Sequence, residues 1–256
     1  MEEKEKMLHT HLALGQVGEY VFLPGSPERS QKISTYFDRP EKMAQHREHT
    51  TYSGFLDEVM VTVSSTGMGG PSTSICMEEL VRLGAKTFIR VGTCASVSAL
   101  VKRGDVVIPN AAVRMEGTGL HYLPVEFPAV PDFYMVKKLE EAVLELGFPY
   151  NIGVTISRDS FFTSVEPEKK PVGYELINKW SAYEKGGATS SEMEAATVFL
   201  VAATLQVRAA ALLVSATNYK KYGIDAEVYP TDTEKRAIEV GILAMRKIIA
   251  EDKKRE

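Results

Sequence analysis

The chain has 256 residues, 44% of them hydrophobic, which is enough to bury a sizeable core, and one α/β domain spanning residues 1–256 accounts for the length without division. Thirty basic against 34 acidic residues leave a formal charge of -4, with Lys253-Lys254-Arg255 as the basic block, so the electrostatic footprint of a nucleic-acid binder is missing. No apolar run reaches membrane-spanning length, Met1-Glu2-Glu3-Lys4 leads into no signal-peptide core, and Cys76 and Cys94 lack metal-ligand spacing; a cytoplasmic protein acting on small molecules is expected.

The first predicted strand, Tyr20-Val21-Phe22-Leu23, runs directly into Pro24-Gly25-Ser26-Pro27-Glu28-Arg29. Ser26 suits an N-cap, Pro27 the first helical position and Glu28 the positive end of the helix dipole, so helix initiation explains those three residues. It does not explain Gly25. With Arg29 one turn along, Gly25 makes a backbone-plus-guanidinium cradle of the kind that favours phosphate. Polar residues from His46 to Tyr52 then alternate toward a turn expected at Ser53-Gly54.

From Val59 to Ser96 the pattern predicts an apolar strand, a glycine turn, an amphipathic helix and a second apolar strand ending on Gly92-Thr93. Gly67, Gly69 and Gly70 bare backbone amides at the turn, and Pro71 fits the first helical turn. The second strand carries Arg90 between Ile89 and Val91, and a guanidinium in an apolar run is expensive unless an anion or a carboxylate pairs with it. An anion ligand and a structural salt bridge are both open readings. A strand is expected from Gly104 to Pro109, a loop from Arg114 to Gly119, a helix from Asp132 to Leu146 and a strand from Asn151 to Ser157. The loop that follows carries Phe161-Phe162 and a polar run through Lys170; such aromatics either stack on a base or pack against the domain. After a helix from Tyr174 to Lys185, Ser190-Ser191-Glu192-Met193-Glu194 is expected to open a helix that runs to about Leu205. Its two carboxylates either complement the dipole or accept hydrogen bonds from vicinal sugar hydroxyls. A buried strand from Ala209 to Thr217, a loop with Tyr219, Lys220 and Lys221, and an amphipathic helix from about Asp232 complete the chain. Strands alternating with helices predict a parallel or mixed sheet whose strand-end loops hold the ligand.

The motifs PGSPER, HREHTTYSG, STGMGGPSTS, FIRVGT, EFPAV and SEMEAA occur in one order, and with them the sequence resembles the nucleoside phosphorylase-I family, within it the uridine phosphorylase branch. The resemblance covers nearly the whole chain. It implies a central mixed β-sheet, partly barrel-like and surrounded by helices, and reversible phosphorolysis of uridine to free base and ribose 1-phosphate. It further implies phosphate as co-substrate and no organic cofactor. By the same resemblance, phosphate is bound by Gly25, Arg29, Arg90 and Thr93, with Arg47 arriving from a neighbouring subunit. Glu194 holds the ribose hydroxyls, Met193 packs on the sugar with Glu192 nearby, and His9 of the neighbour meets the 5′ hydroxyl. Arg90 and Glu194 are the residues expected to carry catalysis. Phe161 stacks on the base, and Glu48, Met68 and Ser72 match positions that hold a monovalent cation, potassium, at a dimer interface. The implied assembly is a homo-oligomer, a hexamer built as a trimer of dimers.

Two departures matter. Ser26 stands where the family usually has Asp, which keeps the cap and removes a negative charge beside the anion. The usual Gln-x-Arg after the aromatic pair is absent; Ser164 and Lys169 are the expected substitutes, and Tyr219 or Lys220 lies near a missing late-strand Arg. A looser base preference is therefore expected. The alternatives are a purine or otherwise altered nucleoside phosphorylase and a non-catalytic nucleoside-binding protein.

Overall fold

The computed structural model describes residues 5–218 and 231–255. Strand β1 (Tyr20–Pro24) leads into α1 (Pro27–Ser34), the hairpin strands β2 (Asp38–His46) and β3 (His49–Leu56), then β4 (Val59–Ser64), α2 (Gly70–Arg82) and β5 (Thr87–Ser96). Next come β6 (Val106–Met115), a 3-10 turn at Thr118–His121, α3 (Phe133–Glu145), β7 (Tyr150–Arg158), the short α4 (Phe162–Val165) and a second 3-10 turn at Pro167–Lys169. The chain continues through α5 (Gly173–Lys185), β8 (Ser190–Glu192), α6 (Ala195–Leu205), β9 (Arg208–Asn218) and α7 (Thr231–Asp252). No helix among the described residues is long and apolar enough to cross a membrane.

The strands form one mixed sheet in the order β2-β3-β4-β1-β5-β8-β7-β6-β9, and β9 also pairs in parallel with β5 from Thr87↔Arg208 onward. That second pairing closes β5, β8, β7, β6 and β9 into a ring, the partly barrel-like sheet expected from the sequence. Side chains alternate between the two faces of each strand. Phe22, Ile89, Val91, Leu212 and Val214 pack with Met135, Leu139, Ile242 and Met245 of α3 and α7. Val21, Leu23, Phe88, Ala209 and Ala211 pack with Met77, Leu80, Phe199 and Leu200 of α2 and α6. Helices cover both faces, which is why these strands read as unbroken apolar runs. Each large side chain removed from water contributes on the order of 1.5–3 kcal/mol, so the core holds the strand ends firmly in place. Arg90 shares parity with Phe88, and its side chain therefore emerges on the α2–α6 face, where the two carboxylates before α6 await it.

Three boundaries differ from the sequence expectation. The turn lies at Arg47-Glu48 rather than Ser53-Gly54, which sit inside β3. The hydroxyls of Thr51 and Ser53 satisfy one another's neighbours across the sheet, pairing with Ser64 and Thr62 at 2.8 Å each, so polar residues are buried there at little cost. Gly54 serves close packing, since a Cβ would lie 2.9 Å from both the Asp38 carbonyl and Phe37 Cβ. Second, β6 continues past Pro109 to Met115, because a register shift between Pro109 and Ala111 absorbs the missing N–H; Arg114 and Met115 are strand residues, not loop. Third, Ser190–Glu192 is a strand paired with both β5 and β7, and the helix begins only at Ala195.

Candidate active site

A cavity of about 620 Å³ opens where β1, β5, β8 and β7 end, and these strands are successive neighbours in the sheet. At one side, Ser26 caps α1 by accepting from the Arg29 amide at 3.3 Å, with Pro27 next to it, as its sequence pattern predicts. Gly25 and Arg29 line this wall. The Arg29 guanidinium is aimed by Glu234 of α7, whose Oε1 accepts from Nε at 2.5 Å, and Nη1 donates to the Val91 carbonyl at 3.4 Å. Partial burial pushes the Glu234 carboxyl up, but hydrogen bonds from Lys32 and Arg29 more than offset this and hold it below its ordinary value.

In the centre, Arg90 is 4% exposed. Its Nε donates to Glu192 Oε2 at 3.2 Å and its Nη2 to Glu194 Oε2. The third nitrogen, Nη1, is buried with no hydrogen-bond partner among the described residues. Arg90 thus makes the salt bridge and still presents an open donor, so the two sequence readings are not exclusive. Gly69, at a φ of 89° that favours glycine, turns its amide toward Glu194 Oε1 at 2.6 Å. Burial pushes the Glu194 carboxyl up, with the field of Arg90 opposing and that of Glu192 adding to the push. Glu192 is tied to the protein at both oxygens: Ser157 Oγ donates to Oε1 at 2.5 Å, and the Glu194 and Ala195 amides donate to Oε2 at 2.8 and 2.9 Å. It caps the start of α6 and so delays the helix to Ala195. Thr93, Met193 and Glu194 line the same space as Arg90. So does Cys94, whose thiol is pushed up chiefly by burial and is therefore neutral.

At the far side, Phe161 meets Phe162 edge-on with ring centroids 5.4 Å apart, and its ring is 46% exposed. Ser164 and Lys169 do not line this cavity. Ser164 is buried beside a separate hollow between α4 and α5, and Lys169 pairs with Glu166 at 2.9 Å on the surface. Arg158, which sequence reasoning passed over, is on the cavity wall instead. Unlike Arg90, it has no unbroken apolar run around it, since Ser157 precedes it and Asp159 follows, and its burial appears only once β7 is packed. Tyr219 and Lys220 lie outside the described residues.

Arg47 and His9 do not line the cavity of their own chain. Arg47 stands exposed at the tip of the β2–β3 hairpin with a φ of 52°, a conformation a non-glycine residue adopts only under local constraint. His9 is held on α2: its Nδ1 lies 2.7 Å from Glu79 Oε1, and the Thr10 amide and hydroxyl each donate to Oε2 at 2.8 Å. Burial raises the Glu79 carboxyl, but hydrogen bonds from Thr10 and His9 outweigh it and keep the group below its ordinary value. The contact to Glu79 at Nδ1 fixes the orientation of the His9 ring. Near the cavity mouth, Ser72 Oγ donates to Glu48 Oε1 at 2.5 Å and holds that carboxyl below its ordinary value, while Met68 is 82% exposed.

The arrangement can bind an oxyanion between Arg29 and Arg90, hold vicinal hydroxyls on Glu194, and place a flat ring on Phe161. A sequence model described as the phosphorylase superfamily matches residues 19–250. The chain is 40% identical to the uridine phosphorylase of Treponema pallidum (strain Nichols), over 96% of each protein. It is 37% identical to the uridine phosphorylase of Escherichia coli (strain K12), over 89% of this chain and 91% of that one. To the guanosine phosphorylase of Halorubrum lacusprofundi it is 33% identical, over 94% of this chain and 98% of that protein. Site geometry and sequence likeness run the length of the chain together, and it belongs to the phosphorylase superfamily.

Proposed function

We propose that this chain catalyses the reversible phosphorolysis of uridine, a pentosyl transfer giving uracil and ribose 1-phosphate, with inorganic phosphate as co-substrate and no organic cofactor. The observation that carries this reading is Arg90, a buried guanidinium that borders the cavity with Arg29 and Thr93 and keeps one nitrogen without a partner among the described residues. A buried donor without an acceptor is unfavourable by about 1–3 kcal/mol, and an oxyanion satisfies it. The relatives that are uridine phosphorylases by name support the choice of nucleoside.

As the glycosidic bond lengthens, the sugar becomes oxocarbenium-like and the base gains negative charge. Phosphate under C1′ stabilises the first, and donors around the base stabilise the second. Arg29, Arg90, Gly25 and Thr93 hold the phosphate. Each oxygen of Glu194 keeps a further lone pair after its bonds to Gly69 and Arg90, and these accept the 2′ and 3′ hydroxyls against Met193. The protein's main contribution is position and charge, with little covalent work.

The enzyme acts as a homo-oligomer, a hexamer built as a trimer of dimers, in which Arg47 and His9 of one copy complete the site of another. Arg47 is exposed at a hairpin tip, His9 is held by Glu79, and neither lines its own cavity, which supports the shared site. Glu48 with its ionised carboxylate, the Ser72 hydroxyl and the Met68 carbonyl form an all-oxygen set suited to potassium between two copies. A cytoplasmic setting agrees with two free, buried cysteines. Uracil release followed by ultraviolet difference across a nucleoside panel, with and without phosphate, is the test. Uridine cleavage that needs phosphate is expected; preference for inosine or guanosine, or cleavage without phosphate, overturns the assignment.

A further inference from the structure

The cavity has a direction. Its wall runs from β1 through β5 and β8 to β7, three strand spacings of ~4.8 Å or roughly 14 Å in all, so a ligand lying along it has distinct ends. Arg29 comes from the β1 side and Arg90 from β5. The remaining cation on the wall, among the described residues, is Arg158, the last residue of β7. It is 4% exposed, Nη1 donates to Ser191 Oγ, and Ser191 Oγ in turn donates to the Ile156 carbonyl at 2.9 Å. The guanidinium carbon lies 5.5 Å from the Phe161 ring centre and 6.0 Å from that of Trp180. It is therefore clamped by a hydroxyl that is itself clamped, and by two aromatic rings, at the end of the cavity opposite the anion site.

We propose that Arg158 is the catalytic residue of the base subsite, donating to the uracil oxygens as the base departs; this rests on the uridine reading above. A base lying on Phe161 comes within reach of the guanidinium that borders the same ring. In the reaction a phosphate oxygen forms the bond to C1′, the C1′–N1 bond breaks with its electron pair going to N1, and the proton of hydrogenphosphate ends on the base. Before that proton arrives the uracil anion spreads its charge over O2 and O4, and a fixed, planar guanidinium stabilises charge that exists only as the bond breaks. The same cation selects the base. A purine leaves most readily when protonated at N7, and a buried positive charge opposes that protonation, whereas it favours a departing pyrimidine anion. The loop residues Ser164 and Lys169 face elsewhere, so charged contact to the base comes from the strand end, while the loop contributes the Phe161 ring.

Steady-state rates of wild type, Arg158→Met and Arg158→Lys on uridine, 5-fluorouridine and inosine at saturating phosphate test this. Arg158→Met is expected to lose about 10²-fold in kcat/KM on uridine. The loss should shrink several-fold on 5-fluorouridine, whose more acidic base needs less help, Arg158→Lys should recover part of it, and the uridine-to-inosine ratio should fall. A residue that merely braces Phe161 and Trp180 would lower both pyrimidines equally; equal losses, or no loss, overturn the proposal while leaving uridine phosphorolysis standing. Wild type that releases no uracil overturns both. If Arg158→Met does not fold, Arg158→Gln replaces it in the same comparison.

Discussion

The two ends of the cavity are built differently. The phosphate and sugar end is made from strand termini and helix caps, with Arg90, Glu192 and Glu194 each about 4% exposed and bonded to one another or to backbone amides. The base end combines one such strand terminus, Arg158, with Phe161 at the start of a short helix, and that phenylalanine is 46% exposed. Charge that develops in a transition state is stabilised only by groups already in place, so the charged end sits on the rigid core. A flat, neutral ring is recognised largely by area and tolerates a support that adjusts. The contrast predicts that substitutions at the charged end cost turnover, and those in the loop cost mainly affinity.

The largest expected effect is at Arg90. Arg90→Ala should lose on the order of 10²-fold or more in kcat/KM, with kcat affected, because one preorganised donor is removed. Mixed with Arg47→Ala protein, unfolded and reassembled together, it should regain part of its activity, since some sites then hold both arginines. Near-normal rates in Arg90→Ala, or no recovery in demonstrably mixed oligomers, would break the picture of a rigid, shared charged end.

Next is Phe161. Phe161→Ala should raise KM for uridine by about five- to tenfold with kcat changed little, the scale of one aromatic contact. A fall in kcat matching that of Arg90→Ala would erase the distinction between the ends.

Smallest is Glu234. Glu234→Gln should raise KM for phosphate a few-fold and leave KM for uridine unchanged, because Arg29 loses its aim but not its charge. It also carries a stability signature. The folded-state carboxyl lies below its ordinary value of 4.5, so its contribution is present above that value and is lost as pH falls through the folded value. Chemical denaturation should show the variant less stable than wild type at pH 7 and the gap closing in acid below about 4.5. A gap that stays constant with pH would show that Glu234 acts by packing alone.

Residue order alone determined much of this protein. The unbroken apolar run from Ala209 to Val214 implied a strand buried on both faces, and Ser26-Pro27-Glu28 implied a capped helix start, because burial periodicity and capping are local. Arg90 declared itself for the same reason, as a charge in a run that has no water. Arg158 carried no such sign, since it stands between Ser157 and Asp159 and is buried only by the packing of β7 against β8 and the aromatic rings. Other features had no local sign. Whether Ser53-Gly54 turns or stays in a strand depended on hydroxyl partners on β4, and the start of α6 depended on a carboxylate that also caps it. Glu234 aims Arg29 from 205 residues away, and β9 closes the ring by pairing with β5; both are decided by how packed layers bring distant segments together. Local chemistry can be read from neighbours in the chain, whereas which carboxylate faces which guanidinium is settled only when the sheet and its helices have packed.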